Sequence, residues 1–377
     1  MDAIPIRNPQ SAIRNPIRVL LVDDSPLALN LLQRMLAEAP DIEVVGTARN
    51  GQEALRAIPQ LKPNVICTDY YMPIMDGLKL TQEVMANYPC PILVVSSAVE
   101  VENKEKVFPL LQAGAVDVFL KPANALEAGA QVTQQFISRI RILSGVPVVT
   151  RRAPKTAETA ETAPIAASKT VAPMAQSSPR FVPKSTSQAI SIVAVGASTG
   201  GPQALQQIFS KLPANFPVPI LCVQHISEGF LQGLVDWLTT QCILKVQIAR
   251  SGDKPLPGVI YFPQEKTHLE IDPRGYLVAS RKPPVDGHRP SVTTTFKSVA
   301  AYYGDAALGV LLTGMGRDGA DGMQAIARAG GITIAQDEAS SVVFGMPKQA
   351  IELGAARYTL PPEEITQALV SYVAGGK

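Results

Sequence analysis

Between residues 18 and 137, short apolar runs alternate with segments whose apolar positions recur every three to four residues. Arg18–Val22, Glu43–Ala48, Val65–Thr68, Ile92–Ser96 and Val116–Leu120 predict strands. Pro26–Ala37 and Gly51–Ile58 carry the helical period. Buried strands interleaved with helices predict a doubly wound, five-stranded parallel sheet with its site at the C-terminal strand ends.

The alternation resumes at Ile190 and predicts a second, larger and mainly parallel α/β domain over residues 189–377. Its buried strands are Ile190–Val195, Val218–Val223, Leu308–Thr313 and Gly331–Ala335. Val259–Ser280 reads differently, as an antiparallel hairpin turning near Asp272–Gly275. Residues 144–188 are dominated by Pro, Ala, Thr, Ser and Lys. Pro147, Pro154, Pro164, Pro173, Pro179 and Pro183 would interrupt any helix there, so this stretch is expected to be a flexible linker.

A length of 377 residues gives each domain room for a core, and 46% hydrophobic with 18% charged residues is ordinary for a globular protein. A formal net charge of +2 offers no footprint for nucleic acid or an anionic lipid surface. No apolar run approaches the ~18 residues that a spanning helix needs, and the N-terminus is polar, so direct membrane insertion is not expected and a cytoplasmic location is. Cys67, Cys90, Cys222 and Cys242 are scattered without a C-x-x-C pair, which argues against a disulfide framework or a zinc site.

Two sets of residues carry chemistry. Asp23 and Asp24 follow the first predicted strand, Asp69 the third, Ser96 ends the fourth and Lys121 follows the fifth. Three carboxylates on one sheet edge make a hard-oxygen pocket suited to Mg²⁺. Asp69 is then placed to attack a phosphoryl group whose oxygens Ser96 and Lys121 hold. A single strand-end aspartate would more simply cap a helix; the full set in this order is poorly explained that way.

The second set begins at Gly196-Ala197-Ser198-Thr199-Gly200-Gly201-Pro202, after a strand and before a helical pattern. Glycines allow the sharp turn that exposes Ser198 at a helix N-terminus. On this motif alone a nucleophile and an anion-binding turn are equally good readings, although neither G-x-G-x-x-G nor G-x-x-x-x-G-K-[ST] is present. The search for a base favours the nucleophile. His225 ends the neighbouring strand, His268 falls in the hairpin as a structural group, and His288 lies in a loop suited to substrate contact. Asp318 and its rival Asp337 both follow strands; Asp318 is preferred as the orienting carboxylate because its glycine-rich loop allows close backbone approach, while spacing alone leaves the choice open. The order Ser198, His225, Asp318 differs from the Ser, Asp/Glu, His order of α/β-hydrolases.

Leu21-Val22-Asp23-Asp24-Ser25, Asp69-Tyr70-Tyr71-Met72-Pro73-Ile74-Met75-Asp76-Gly77 and Lys121-Pro122 closely resemble the receiver domain of bacterial response regulators over about residues 18–137. The resemblance implies phosphorylation of Asp69, Mg²⁺ ligation by Asp23, Asp24 and Asp69, and a cis Lys121–Pro122 bond. Gly196–Pro202, Gln224-His225, Asp286-Gly287-His288-Arg289-Pro290-Ser291-Val292 and Leu312-Thr313-Gly314-Met315-Gly316-Arg317-Asp318-Gly319-Ala320 resemble chemotaxis protein-glutamate methylesterases, which join a receiver to this catalytic domain. That resemblance implies Ser198 as nucleophile, His225 as base and Asp318 as orienting acid, with backbone N–H groups of Thr199 and Met315 as oxyanion donors. It also implies cofactor-free removal of methyl esters, and deamidation of glutamines, on the cytoplasmic helices of methyl-accepting chemoreceptors. A sensor histidine kinase would be the phosphodonor. The competing reading is a phosphorylation-controlled, non-catalytic receptor-binding regulator.

Overall fold

The first unit is built on β1 (Ile17–Val22), β2 (Ile42–Ala48), β3 (Val65–Thr68), β4 (Ile92–Ser97) and β5 (Asp117–Lys121), all parallel, in the order β2-β1-β3-β4-β5. The computed structural model describes residues 15–97, 107–124, 126–148 and 189–374. Within these the chain divides into two compact units, one on each side of residue 150. Residues 149–188, most of the expected linker, lie outside the described residues.

Helices α1 (Pro26–Leu36), α2 (Gly51–Leu61), α3 (Gly77–Asn87), α4 (Phe108–Ala113) and α5 (Ala130–Leu143) surround the first sheet. Contacts pair α1 with α5 and link α2, α3 and α4 in series, as expected for helices covering two faces. Local chemistry starts them: Ser25 caps α1, with Pro26 at its first position, and Asn50 and Glu53 form a reciprocal cap on α2. The buried faces of β1 and β3, including Val19, Leu20, Leu21, Val65 and Ile66, exclude water completely. The direction of winding reverses between β1 and β3, so the crevice outside their C-terminal ends is where such a sheet binds ligands.

The second unit holds a seven-stranded sheet in the order β14-β13-β12-β6-β7-β9-β8. Its strands are β6 (Ile192–Ala197), β7 (Ile220–Gln224), β8 (Lys245–Ile248), β9 (Val259–Phe262), β12 (Ala307–Leu311), β13 (Ile332–Gln336) and β14 (Tyr358–Leu360), every pairing parallel. A separate antiparallel pair, β10 (His268–Ile271) and β11 (Leu277–Ser280), forms the hairpin. Helices α6 (Gly201–Phe209), α7 (Leu231–Gln241) and α11 (Pro362–Ala374) form one contact chain; α8 (Val292–Tyr303), α9 (Ala320–Arg328) and α10 (Met346–Glu352) form the other. The chain runs from β6 outward to β8, returns through β9, and then crosses to β12 on the other side of β6. The reversal therefore falls at β6, and Ser198 is the first residue beyond its end.

Two sequence expectations are corrected. Val259–Phe262 is not a hairpin arm: all four residues are buried, and β9 is an internal parallel strand between β7 and β8. Only residues 268–280 form the hairpin, in which β10 is buried at three of its four positions and β11 is partly buried beyond Leu277. The Lys121–Pro122 bond is trans; the cis bond among the described residues is Arg289–Pro290.

Candidate active site and phospho-acceptor site

At the C-terminal edge of the first sheet, carboxylate oxygens of Asp23, Asp24 and Asp69 lie within 4.8 Å of one another. Asp23 and Asp69 are buried and Asp24 is exposed. Backbone N–H groups of Ser25 and Tyr70 donate to Asp23 and Asp69 at 2.9 and 2.6 Å. The Lys121 ammonium spans the two buried carboxylates, 2.8 Å from Asp23 and 2.6 Å from Asp69. Burial pulls the lysine pKa down, but the Asp69 and Asp23 carboxylates outweigh it and hold the ammonium above its ordinary value. Ser96 is fully buried near the end of β4. Gly77 is required by close approach: a Cβ there would lie 2.2 Å from the Asp69 carbonyl oxygen. Three clustered oxygen donors with one accessible side fit a hydrated Mg²⁺ ion.

In the second unit, Ala197 and Gln224 are register partners at the ends of β6 and β7, and Ser198 and His225 are the next residues of each strand. The His225 N–H donates to the Ala197 carbonyl at 2.9 Å, which keeps the two chains together as they leave the sheet. Ser198 is partly exposed on its turn, and Gly200 takes φ +77, a left-handed conformation that a side chain would strain. The Ser198 peptide is fixed on both sides: its N–H donates to the Thr313 carbonyl at 3.0 Å and its carbonyl accepts from Gly201 at 2.8 Å. Gly314 lets the β12 loop press against this turn, since a Cβ there would stand 2.6 Å from Ser198 Cβ.

His225 Nε2 lies 2.9 Å from Asp318 Oδ2. Asp318 is 1% exposed and receives three more hydrogen bonds: Ser291 Oγ and Thr293 N donate to Oδ1, and Val292 N donates to Oδ2. These donors form the first turn of α8, where unpaired N–H groups and the helix dipole favour negative charge. Burial would raise the Asp318 pKa, but hydrogen bonding and charge from His225, with Thr293 and Ser291, hold it far below the ordinary carboxylate range. An ionised carboxylate can only accept, so Nε2 carries a proton and Nδ1 is the basic nitrogen. That Nδ1 is buried without a hydrogen-bond partner. The Ser198 hydroxyl does not reach it here; such contacts commonly tighten only when substrate is bound.

The remaining candidates separate cleanly. Asp337 caps its own turn through Ser340 and makes no bond to His225. His268 is fully buried between the Pro283 carbonyl and the Ser291 N–H, a structural role. His288 stacks face to face on His225, with centroids 3.9 Å apart and planes 5° from parallel. Met315 lies beyond Gly314 and is 47% exposed, whereas Thr199 is buried and its carbonyl accepts from Thr313 Oγ1 at 2.9 Å. The residue-by-residue reading assigned no role to Thr313, Gln224 or Ser291. Ser291 carried a usable signal, a serine directly before an apolar helical run. Thr313 and Gln224 are buried polar residues at strand ends, which hydrophobic patterning does not distinguish.

The CheB methylesterase family model matches residues 193–369, and the response regulator receiver domain model matches residues 19–132. The protein-glutamate methylesterase/protein-glutamine glutaminase of Nitrosospira multiformis is 41% identical over 359 residues, covering 95% of this chain and 97% of that protein. Protein-glutamate methylesterase/protein-glutamine glutaminase 1 of Syntrophus aciditrophicus is 40% identical over 356 residues, covering 94% and 97%. Among solved structures, the Thermotoga maritima CheB methylesterase catalytic domain is 38% identical and covers 48% of this chain and 98% of its own, with a TM-score of 0.47.

Proposed function

The chain belongs to the protein-glutamate methylesterase/protein-glutamine glutaminase family, and from that membership we infer a phosphorylation-controlled serine hydrolase acting on chemoreceptors. It hydrolyses glutamate γ-methyl esters and deamidates glutamine side chains. The observation that carries the chemistry is the imidazole pinned through Nε2 to a charged, helix-bound Asp318 while Nδ1 remains unpaired, on a residue that follows the same register pair as Ser198.

In the proposed cycle, Ser198 Oγ attacks the ester carbonyl as His225 Nδ1 takes its proton. Asp318 stabilises the resulting imidazolium through Nε2–H. The backbone N–H groups assigned to the oxyanion are those of Thr199 and Met315. His225 returns the proton to the departing methanol, or to ammonia when a glutamine reacts. It then deprotonates water, which cleaves the acyl-enzyme to glutamate and free Ser198. The base accounts for about 10²–10⁴ in rate, and each oxyanion donor for roughly 3 kcal/mol.

Control resides in the first unit. The Asp69 carboxylate attacks the phosphorus of a phosphohistidine on a sensor histidine kinase, the P–N bond breaks, and an acyl phosphate forms on Asp69. Ser96 and Lys121 contact the phosphoryl oxygens. Asp23, Asp24 and Asp69 would hold Mg²⁺, which when bound would supply neutralisation of phosphoryl charge. The receptor substrate is met at its cytoplasmic helices, and the enzyme works in the cytoplasm; no helix of the described residues is long and apolar enough to cross a membrane.

The test is methanol release from methylated receptor membranes, with and without a small phosphodonor and Mg²⁺. Release that rises with phosphodonor and vanishes in Ser198→Ala is expected. Undiminished release from that variant would refute the nucleophile.

A further inference from the structure

Gln224 is a buried amide, 3% exposed, at the last position of β7. Its Nε2 donates to the Ser198 carbonyl at 2.7 Å and to the His225 carbonyl at 2.8 Å. One side chain therefore uses both amide protons to tie the backbone of the residue assigned as nucleophile to that of the residue assigned as base. Sheet pairing stops at Ala197 and Gln224, one residue short of both. Beyond it the His225 N–H still donates to the Ala197 carbonyl, but no bond joins Ser198 to His225, as Ser198 enters a turn that passes through a left-handed glycine and His225 a loop. The Gln224 amide bridges that gap.

The other end of the side chain gains nothing. Oε1 is buried without a hydrogen-bond partner, and it lies so near α6 that a Cβ on residue 201 would fall 2.0 Å from it, leaving room only for Gly201. A buried unpaired acceptor opposes folding and offsets part of what the two donated bonds contribute. The two donated bonds also define a position, because they fix two backbone carbonyls against one rigid amide. Position matters here because no direct hydrogen bond joins Ser198 to His225, so their spacing depends on the backbone.

We propose that Gln224 is a positioning residue that sets the register of Ser198 against His225 for acyl transfer. The proposal rests on the serine-hydrolase reading above, and it adds a residue whose side chain touches neither substrate nor the reacting atoms.

The test compares full-length wild type with Gln224→Met, which keeps length but donates nothing, and Gln224→Glu, which keeps shape but when ionised can only accept and so loses both donated bonds. Methanol release from receptor membranes gives kcat and KM. The rate of Ser198 labelling by a small phosphonylating probe reports the Ser198–His225 geometry independently of receptor docking, and thermal unfolding reports the fold. A misplacement of about 1 Å costs on the order of 10²-fold. Both variants are expected to lose roughly 10- to 100-fold in kcat and in labelling rate, with KM unchanged and both variants still folded at the assay temperature. Wild-type kcat and labelling in both variants would overturn the proposal, as would a loss confined to KM. So would a loss that appears only in a variant that has unfolded while the folded one is fully active. Failure of the underlying reading looks different: Ser198→Ala would then retain turnover and wild type would resist the probe.

Discussion

His225 and Asp318 meet at 2.9 Å across 93 residues of sequence, and the contact uses Nε2 of the ring. The carboxylate is already engaged by Ser291, Val292 and Thr293, so the histidine is the fourth donor to a fully coordinated acid. An asparagine cannot replace that acid. It offers one acceptor oxygen to four donors and turns an NH₂ group toward the rest. Asp318→Asn should lose about 1–3 kcal/mol of stability in denaturant unfolding, and kcat should fall by about 10⁴ in methanol-release assays.

The same carboxyl gives a signed pH dependence. Its pKa is depressed by folding, so its stabilisation is complete above the ordinary aspartate value of 3.8 and is lost as pH falls through the lower folded value. The stability gap between wild type and Asp318→Asn should therefore narrow on acidification below about pH 4. Unfolding curves taken in steps down to strong acid provide the check; a gap that widened there would contradict the assignment.

Gly314→Ala tests the close approach of two loops. The new methyl group would stand 2.4 Å from Met346 Sδ, which can rotate away, and 2.6 Å from Ser198 Cβ, which moves only with its turn. A fall of about 10²-fold or more in kcat is expected, with Asp69 still accepting phosphate from a small donor, since that chemistry lies in the other unit.

His288→Ala removes the ring stacked on His225. Such aromatic contacts contribute about 0.5–1.5 kcal/mol, so turnover should fall roughly two- to tenfold, far less than in Ser198→Ala. Single-turnover rates on methylated receptor would measure it.

At the proposed phospho-acceptor, Asp69→Asn removes the carboxylate assigned to attack phosphorus. Its methanol release should be the same with and without phosphodonor. A remaining phosphodonor effect would place the modified residue elsewhere.

Much of this was legible in the residues because buried parallel strands leave continuous apolar runs; Val65–Thr68 matches β3 residue for residue. Where the pattern misled, the physics is plain. Val259–Phe262 is a short apolar run before a turn, and four residues cannot distinguish a hairpin arm from an internal strand. Sheet order is absent from periodicity, so nothing in Lys245–Ile248 foretold that β9 would pair between β7 and this edge. Between Asp318 and Asp337 the glycine-rich loop favours the first, but spacing cannot reveal what separates them in the fold, the first-turn donors that α8 gives to Asp318. Gln224 stayed hidden because its value lies in two carbonyls contributed by different strands.

The socket for Asp318 is contributed by α8, which precedes it by a full helix-and-strand crossover and packs against hairpin strand β10. Hairpin, helix and acid therefore form a single unit of inheritance. A chimaera with a relative, joined anywhere between Thr295 and Leu311, would take its acid from one parent and the cradle for it from the other. Junctions before β10 or after α9 keep them together, and these are the seams at which such chains can be recombined without separating Asp318 from the helix donors that hold it against the imidazole.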